Sequence, residues 1–303
     1  MHMADALLSP FVGGAGWAAT LGLAAYSARK IRRAPEEQSV PLMGVGASFV
    51  FAAQMLNFAI PGTGSSGHLT GGLILAALLG PHAAFLAMAS ILTVQALFFA
   101  DGGLLALGCN VLNMGFFPCF VAYPLLFRPI AGQRPTRRRL AAASMVAGVV
   151  GLQLGALGVV AETRLSGITA LPTGAFLLLM QPIHLAIGVV EGLATSAVLL
   201  FVRQARPEAL HAFAAPDRKP SRRVALGLLV AALAMGGVVS WFASSKPDGL
   251  EWSLAKIAGE EAVTHPWPAV SAGTSLTGIV GAALAMLVAG LIGFGLRRRT
   301  AKG

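Results

Sequence analysis

Groups at the start of the chain and in one loop could together chelate a metal ion. The free amine of Met1, the amide nitrogen of His2 and Nδ1 of its imidazole can close a five-membered ring fused to a six-membered one around a single ion. Three nitrogens then lie nearly in one plane, and a deprotonated amide is a strong in-plane donor, so the set suits Ni(II), Cu(II) and, less well, Co(II). A fourth nitrogen would complete the plane, and His68 is the candidate. It ends the Gly/Ser loop Pro61-Gly62-Thr63-Gly64-Ser65-Ser66-Gly67, whose glycines let the backbone fold back and deliver the imidazole to the start of an apolar segment. The same two-residue start could equally head an ordinary frayed terminus, so the rest of the chain has to decide.

Two further constellations carry polar chemistry. Ala100-Asp101-Gly102-Gly103 precedes Asn110 and Asn113, which are neighbours one helical turn apart. They serve either to orient a metal ligand or the N-terminal segment, or to bond one helix to another. Gln181-Pro182-Ile183-His184, Gly188, Glu191 and Thr195 fall on one helical stripe, where His184 and Glu191 either relay ions or lock two helices together. Cys109 and Cys119 are about 80° apart around a helix and about 15 Å apart along it, too far for a disulfide, and read as small buried residues.

These groups need elements to hold them, and the composition says where those elements lie. Of 303 residues 56% are hydrophobic and 11% charged, with a mean hydropathy of +0.75, which excludes a soluble domain and points to a polytopic membrane protein. Apolar runs predict an all-α bundle of nine segments near 11–28, 40–60, 69–80, 83–100, 103–127, 140–161, 174–202, 224–243 and 274–296. The segment 69–80 is too short to cross alone and must be buried among the others or be part of a broken helix. The net charge of +10 does not imply nucleic acid: 19 of the 22 basic residues sit in the loops 29–39, 128–139 and 203–223 and in the tail. With nine spans all four clusters share one side, predicted cytoplasmic by the excess of Lys and Arg. Met1, His2, His68 and the loops 61–68, 162–172 and 244–273 then lie outside, where an imported ion arrives.

The opening Met1-His2-Met3-Ala4-Asp5-Ala6-Leu7-Leu8-Ser9-Pro10, the block Phe51-Ala52-Ala53-Gln54-Met55-Leu56-Asn57-Phe58, the His68 loop, and Asp101-Gly102-Gly103 with Asn110 resemble the NikM/CbiM family. Its members are substrate-binding subunits of nickel and cobalt energy-coupling factor transporters, and the similarity runs from residue 1 to about 205. The resemblance implies an N-terminal segment folded into the bundle, with metal held by Met1, His2 and His68. It leaves Asn57, Ser66, Asp101 and Asn110 as candidates to support those ligands. Met3-Ala4 and Ala6-Leu7 depart from the residues usual in the family, which touches packing of the segment and not its ligands.

Residues 223–303 resemble the small N subunit of nickel transporters, with two spans flanking Ser244-Ser245-Lys246-Pro247-Asp248-Gly249-Leu250-Glu251-Trp252. The predicted organisation is a metal-binding membrane domain at 1–205, a basic cytoplasmic linker at 206–222, and this module. Glu251, Glu260, Glu261 and His265 either attract an arriving cation or are simply solvated. No G-x-x-x-x-G-K-[ST] loop is present, so a transporter of this kind would take its ATP hydrolysis from separate subunits. The resemblance implies cytoplasmic ABC-type ATPases and a transmembrane coupling (T) subunit as partners in the cell membrane, with Ni(II) as cargo and Co(II) the alternative. A rival is an intramembrane serine protease, since Gly64-Ser65-Ser66-Gly67 and His184 could form a serine–histidine dyad. A channel would want a ring of pore charges, which the sequence lacks.

Overall fold

The computed structural model describes residues 1–33, 40–205, 210, 222–259 and 275–300. Each predicted apolar segment is helical. They are α1 (Pro10–Arg33), α2 (Val40–Gln54), α3 (Gly72–Leu79), α4 (Pro81–Phe98), a composite of α5 (Leu107–Val111), a π-helical stretch (Leu112–Phe127) and α6 (Arg128–Ala131), α7 (Arg137–Ser166), α8 (Thr173–Ala205), α9 (Arg222–Gly237) and, beyond the short α10 (Gly249–Ala258), α11 (Ser275–Thr300). Among the described residues five helices, 81–98, 107–131, 137–166, 173–205 and 276–296, are long and apolar enough to cross a membrane. The two-stranded hairpin β1 (Phe58–Ala59) and β2 (Ser66–Gly67) pairs Phe58 with Gly67 and Ala59 with Ser66.

Several boundaries differ from the sequence reading. α2 stops at Gln54 and not at residue 60, because the chain turns into the hairpin that carries the Gly/Ser loop. The segment after His68 is a half-helix: all eight residues of α3 are buried, and a turn at Gly80, with Pro81 on the first turn of α4, sends the chain back the way it came. Such a broken element is tolerated at membrane depth only where protein encloses it. The stretch 112–127 carries Pro118 and Pro124 and winds as a π-helix, a wide form that periodicity does not reveal. α9 ends at Gly237, short of residue 243, and a 3-10 turn follows.

α7 and α8 pack closely along their length. A Cβ on Gly192 would lie 2.7 Å from the Cα of Met145, and one on Gly148 would lie 3.0 Å from the Cα of Gly192, so small residues set that approach. α9 and α11 lie against α2, while α10 lies against α8. α11 also lies against α4 and α1, so α9, α10 and α11 together touch α1, α2, α4 and α8.

Candidate metal centre

Residues 1–9 do not fray. They enter the bundle, with Met1, Met3, Leu7 and Leu8 buried. Asn110 grips Met3 from both sides: its Oδ1 accepts the Met3 N–H at 2.8 Å and its Nδ2 donates to the Met3 carbonyl at 3.2 Å. The N–H of Gly103 donates to the same carbonyl at 2.9 Å, and a Cβ on Gly103 would collide with Asp5, so the backbone can come this close only at a glycine. Asp5 accepts from the Ala106 N–H at 3.0 Å.

This docking brings Met1, His2 and His68 together. The amine of Met1 stands 3.4 Å from Nε2 of His68, and the two imidazole rings lie 5.1 Å apart, within 25° of parallel. Nitrogen ligands about 2 Å from a shared ion are about 2.8 Å apart when adjacent and about 4 Å when opposite, so an ion fits between these two with small adjustment. Nδ1 of His68 donates to the Leu69 carbonyl at 3.0 Å, which leaves Nε2 with its lone pair towards Met1. The loop is fixed from below by Glu191, whose carboxylate accepts the Thr70 N–H at 2.7 Å and the Gly71 N–H at 2.9 Å.

The electrostatics keep both imidazoles neutral, the form a metal requires. Burial, then the neighbouring ammonium of Met1, lowers His2 to about 3. Burial, the ammonium and His2 lower His68 to about 4. Nδ1 of His2 lies 3.1 Å from Oδ1 of Asp101, and its Nε2 lies 3.2 Å from Oε1 of Gln95. A neutral ring has one N–H for these two acceptors, so the contact with Asp101 is not an ordinary ion pair.

Asp248, from the second module, is the unexpected member. Its Oδ2 accepts from the Met1 amine at 2.9 Å and lies 3.9 Å from Nε2 of His68. Burial works to raise this carboxyl, but the ammonium and His68 outweigh it and hold the group below the ordinary carboxylate range. Asp248 also caps α10 through a reciprocal box with Glu251, a pattern legible in the D-G-L-E spacing, although its partner at residue 1 was not. The flanking segment is laced to the His68 loop. The Ser244 N–H donates to the Asn57 carbonyl at 2.7 Å, the Ser66 hydroxyl to the Lys246 carbonyl at 2.7 Å, and the Trp252 indole to the Thr63 carbonyl at 2.9 Å.

Asp101 and Asn110 therefore stand against the N-terminal segment, while Asn57 and Ser66 contact residues 244–247 and not a ligand. Glu251 serves the α10 cap; Glu260, Glu261 and His265 lie outside the described residues. Ser66 and His184 do not form a dyad: Ser66 bonds to backbone carbonyls, and His184 turns Nδ1 to the Met180 carbonyl at 2.8 Å. The Nε2 of His184 has no hydrogen-bond partner, and the residue lines a small cavity with Met1, His68 and Asp248. Among the described residues no three His, Cys, Asp or Glu side chains gather as a metal site, so the candidate centre depends on backbone nitrogens. Gln95 had no place in the sequence reading and Gln54 entered it only within the Phe51–Phe58 block; a glutamine inside an apolar span is the signal that marks Gln95.

Residues 2–209 match the family model described as "Cobalt uptake substrate-specific transmembrane region", and residues 222–270 match the PDGLE domain. The chain is 34% identical to a putative fused nickel transport protein NikMN of Archaeoglobus fulgidus, over 98% of both chains. It is 32% identical to the fused nickel transport protein NikMN of Rhodobacter capsulatus, over 78% of this chain and 72% of that one. The cobalt transport protein CbiM of Sorangium cellulosum is 32% identical over 69% of this chain and 94% of its own. A crystal structure of a truncated transition metal transporter superposes with a TM-score of 0.60 at 30% identity, covering 68% of this chain and 99% of the other.

Proposed function

Because the chain belongs to the CbiM family of cobalt-uptake substrate-specific transmembrane regions and carries a PDGLE domain behind it, we propose that this metal-transport component takes up Ni(II) through the nitrogens of Met1, His2 and His68. The observation that carries the reading is the docked N-terminus, with its amine buried 3.4 Å from Nε2 of His68. Loading on this reading removes a proton from the ammonium and one from the His2 amide, and the four nitrogens close a plane that favours nickel over cobalt. Two relatives named for fused nickel transport support the same choice.

On this reading residues 1–205 bind the ion, 206–222 join, and 223–303 form a module whose loop 244–273 faces outside. Asp248 supplies a negative charge beside the amine and is the module's direct share in the centre. Separate ATPase subunits and a coupling subunit would drive uptake across the cell membrane, with the N-terminus outside and the C-terminus inside.

The test is nickel per purified full-length chain. His2→Ala and His68→Ala should each lose most of the metal, while His184→Ala, which removes no proposed ligand, should keep it. Full retention by either of the first two would overturn the ligand set.

A further inference from the structure

The fused chelate has a requirement that the ligand list does not express. His2 can close a ring with its own amide only through Nδ1, so the single proton of the neutral imidazole must sit on Nε2. Which nitrogen carries it is set by the bond the other one makes. A line of hydrogen bonds with fixed polarity arrives at this ring from another part of the fold.

The line starts at the Thr70 carbonyl, which can only accept. Gln54 therefore turns its NH2 towards it, donating at 2.7 Å, and its Oε1 is left facing Gln95. Gln95 must in turn donate its own NH2 to that oxygen, at 2.8 Å, which leaves its Oε1 facing Nε2 of His2 at 3.2 Å. An acceptor there requires Nε2–H and frees Nδ1. Both amides are buried, Gln54 3% and Gln95 0% exposed, so reversing either one would oppose like groups without water to relieve them. The origin of the line is itself immobile, because Glu191 holds the Thr70 and Gly71 N–H groups. Asp101 pulls the other way, towards a proton on Nδ1, but its side chain is 38% exposed and can turn to water.

We propose that Gln54 and Gln95 are positioning residues that transmit the polarity of the Thr70 carbonyl to His2 and hold its imidazole in the Nε2–H tautomer, leaving Nδ1, which stands 3.1 Å from Oδ1 of Asp101, without a proton and available to the chelate. The inference rests on the chelate reading above, and it adds two residues of α2 and α4 that touch no proposed metal-bound atom.

The experiment uses the full chain in detergent, metal-free, with 15N-labelled histidine, and reads the ring nitrogens by NMR before titration with Ni(II) alone. Wild type should show His2 as Nε2–H. Gln95→Met should move the proton to Nδ1 and weaken nickel binding roughly ten- to hundredfold, the usual cost of losing a group that orients a ligand. Gln95→Glu, protonated in this buried position, can donate its O–H to Gln54 Oε1 and keep its carbonyl oxygen against Nε2–H, and should preserve the tautomer and most of the affinity. A merely structural role would not produce that split. Gln54→Met should shift the tautomer in the same direction from one residue further away, and it decides the matter if Gln95→Met does not fold. Unchanged tautomer and affinity in the Met variants would overturn the proposal. An N-terminally extended chain that keeps its nickel would sink the chelate alone, and the metal-free tautomer ratio would still judge the relay.

Discussion

Adding a single residue in front of Met1, or acetylating its amine, tests the centre at the atom on which most depends. The new carbonyl carbon would sit about 1.33 Å from a nitrogen that already has Asp248 Oδ2 at 2.9 Å and His68 Nε2 at 3.4 Å. The added group competes with these two contacts for the space around the nitrogen, and the ammonium charge disappears. Asp248, whose side chain is 14% exposed, is then a buried carboxylate without its partner. Breaking a buried pair in this way costs about 3–5 kcal/mol, and at 1.4 kcal/mol per decade that is two to three and a half decades in the docking equilibrium. The ligand set also shrinks from a fused three-nitrogen chelate to separate imidazoles. Extended or acetylated protein should therefore copurify with little nickel, and the Met3 amide, held by Asn110, should exchange with solvent faster. A C-terminal tag should change neither. The assay is metal per chain beside hydrogen exchange of residues 1–9, and an extended chain with full nickel and a protected Met3 would refute the reasoning.

Acid should loosen the centre over a defined window. His2 and His68 fall from 6.5 to about 3 and about 4, so they stay neutral when docked while the undocked chain takes up protons below pH 6.5. Docking then loses up to about 1.4 kcal/mol per histidine per pH unit as pH falls from about 6.5 towards 4, whereas the Asp248 contribution persists until its ordinary carboxylate range is reached. Thermal unfolding between pH 8 and 5 should show this slope, and His68→Ala should flatten it; an equal slope in the variant would argue against the assignment. Asp248→Asn and a chain ending near Asp217 should weaken nickel binding to a similar extent without abolishing it, because both keep Met1, His2 and His68 and remove the same charge. Calorimetry compares them, and wild-type affinity in either would remove Asp248 from the centre.

The helices were legible because apolar runs of membrane length leave few alternatives, and the length of the short run after His68 left either a segment buried among the others or a broken helix. The widened winding at 112–127 was not legible, since it depends on how a helix with Pro118 and Pro124 settles against its neighbours. Met1, His2 and His68 could be chosen from ligand chemistry and resemblance. Asp248 and Gln95 could not: one meets the amine across 247 positions, the other meets His2 across 93, and local patterns carry nothing over such distances. Glu191 was visible as a polar residue on an apolar stripe, yet its partners, two backbone N–H groups of another segment, exist only once the loop has folded.

The lacing of residues 244–252 onto the His68 loop has a consequence for how the module comes and goes. Its polar contacts are Ser244 on Asn57, Ser66 on Lys246 and Pro247, Ser65 on Pro247, Trp252 on Thr63, and Asp248 on the amine, and they add to the packing of α9 against α2 and of α11 against α2 and α4. Here α9 follows α8 in the same chain, so the contact closes within one molecule. Any opening and closing of it is then a unimolecular event, whose balance does not depend on how many copies the membrane holds.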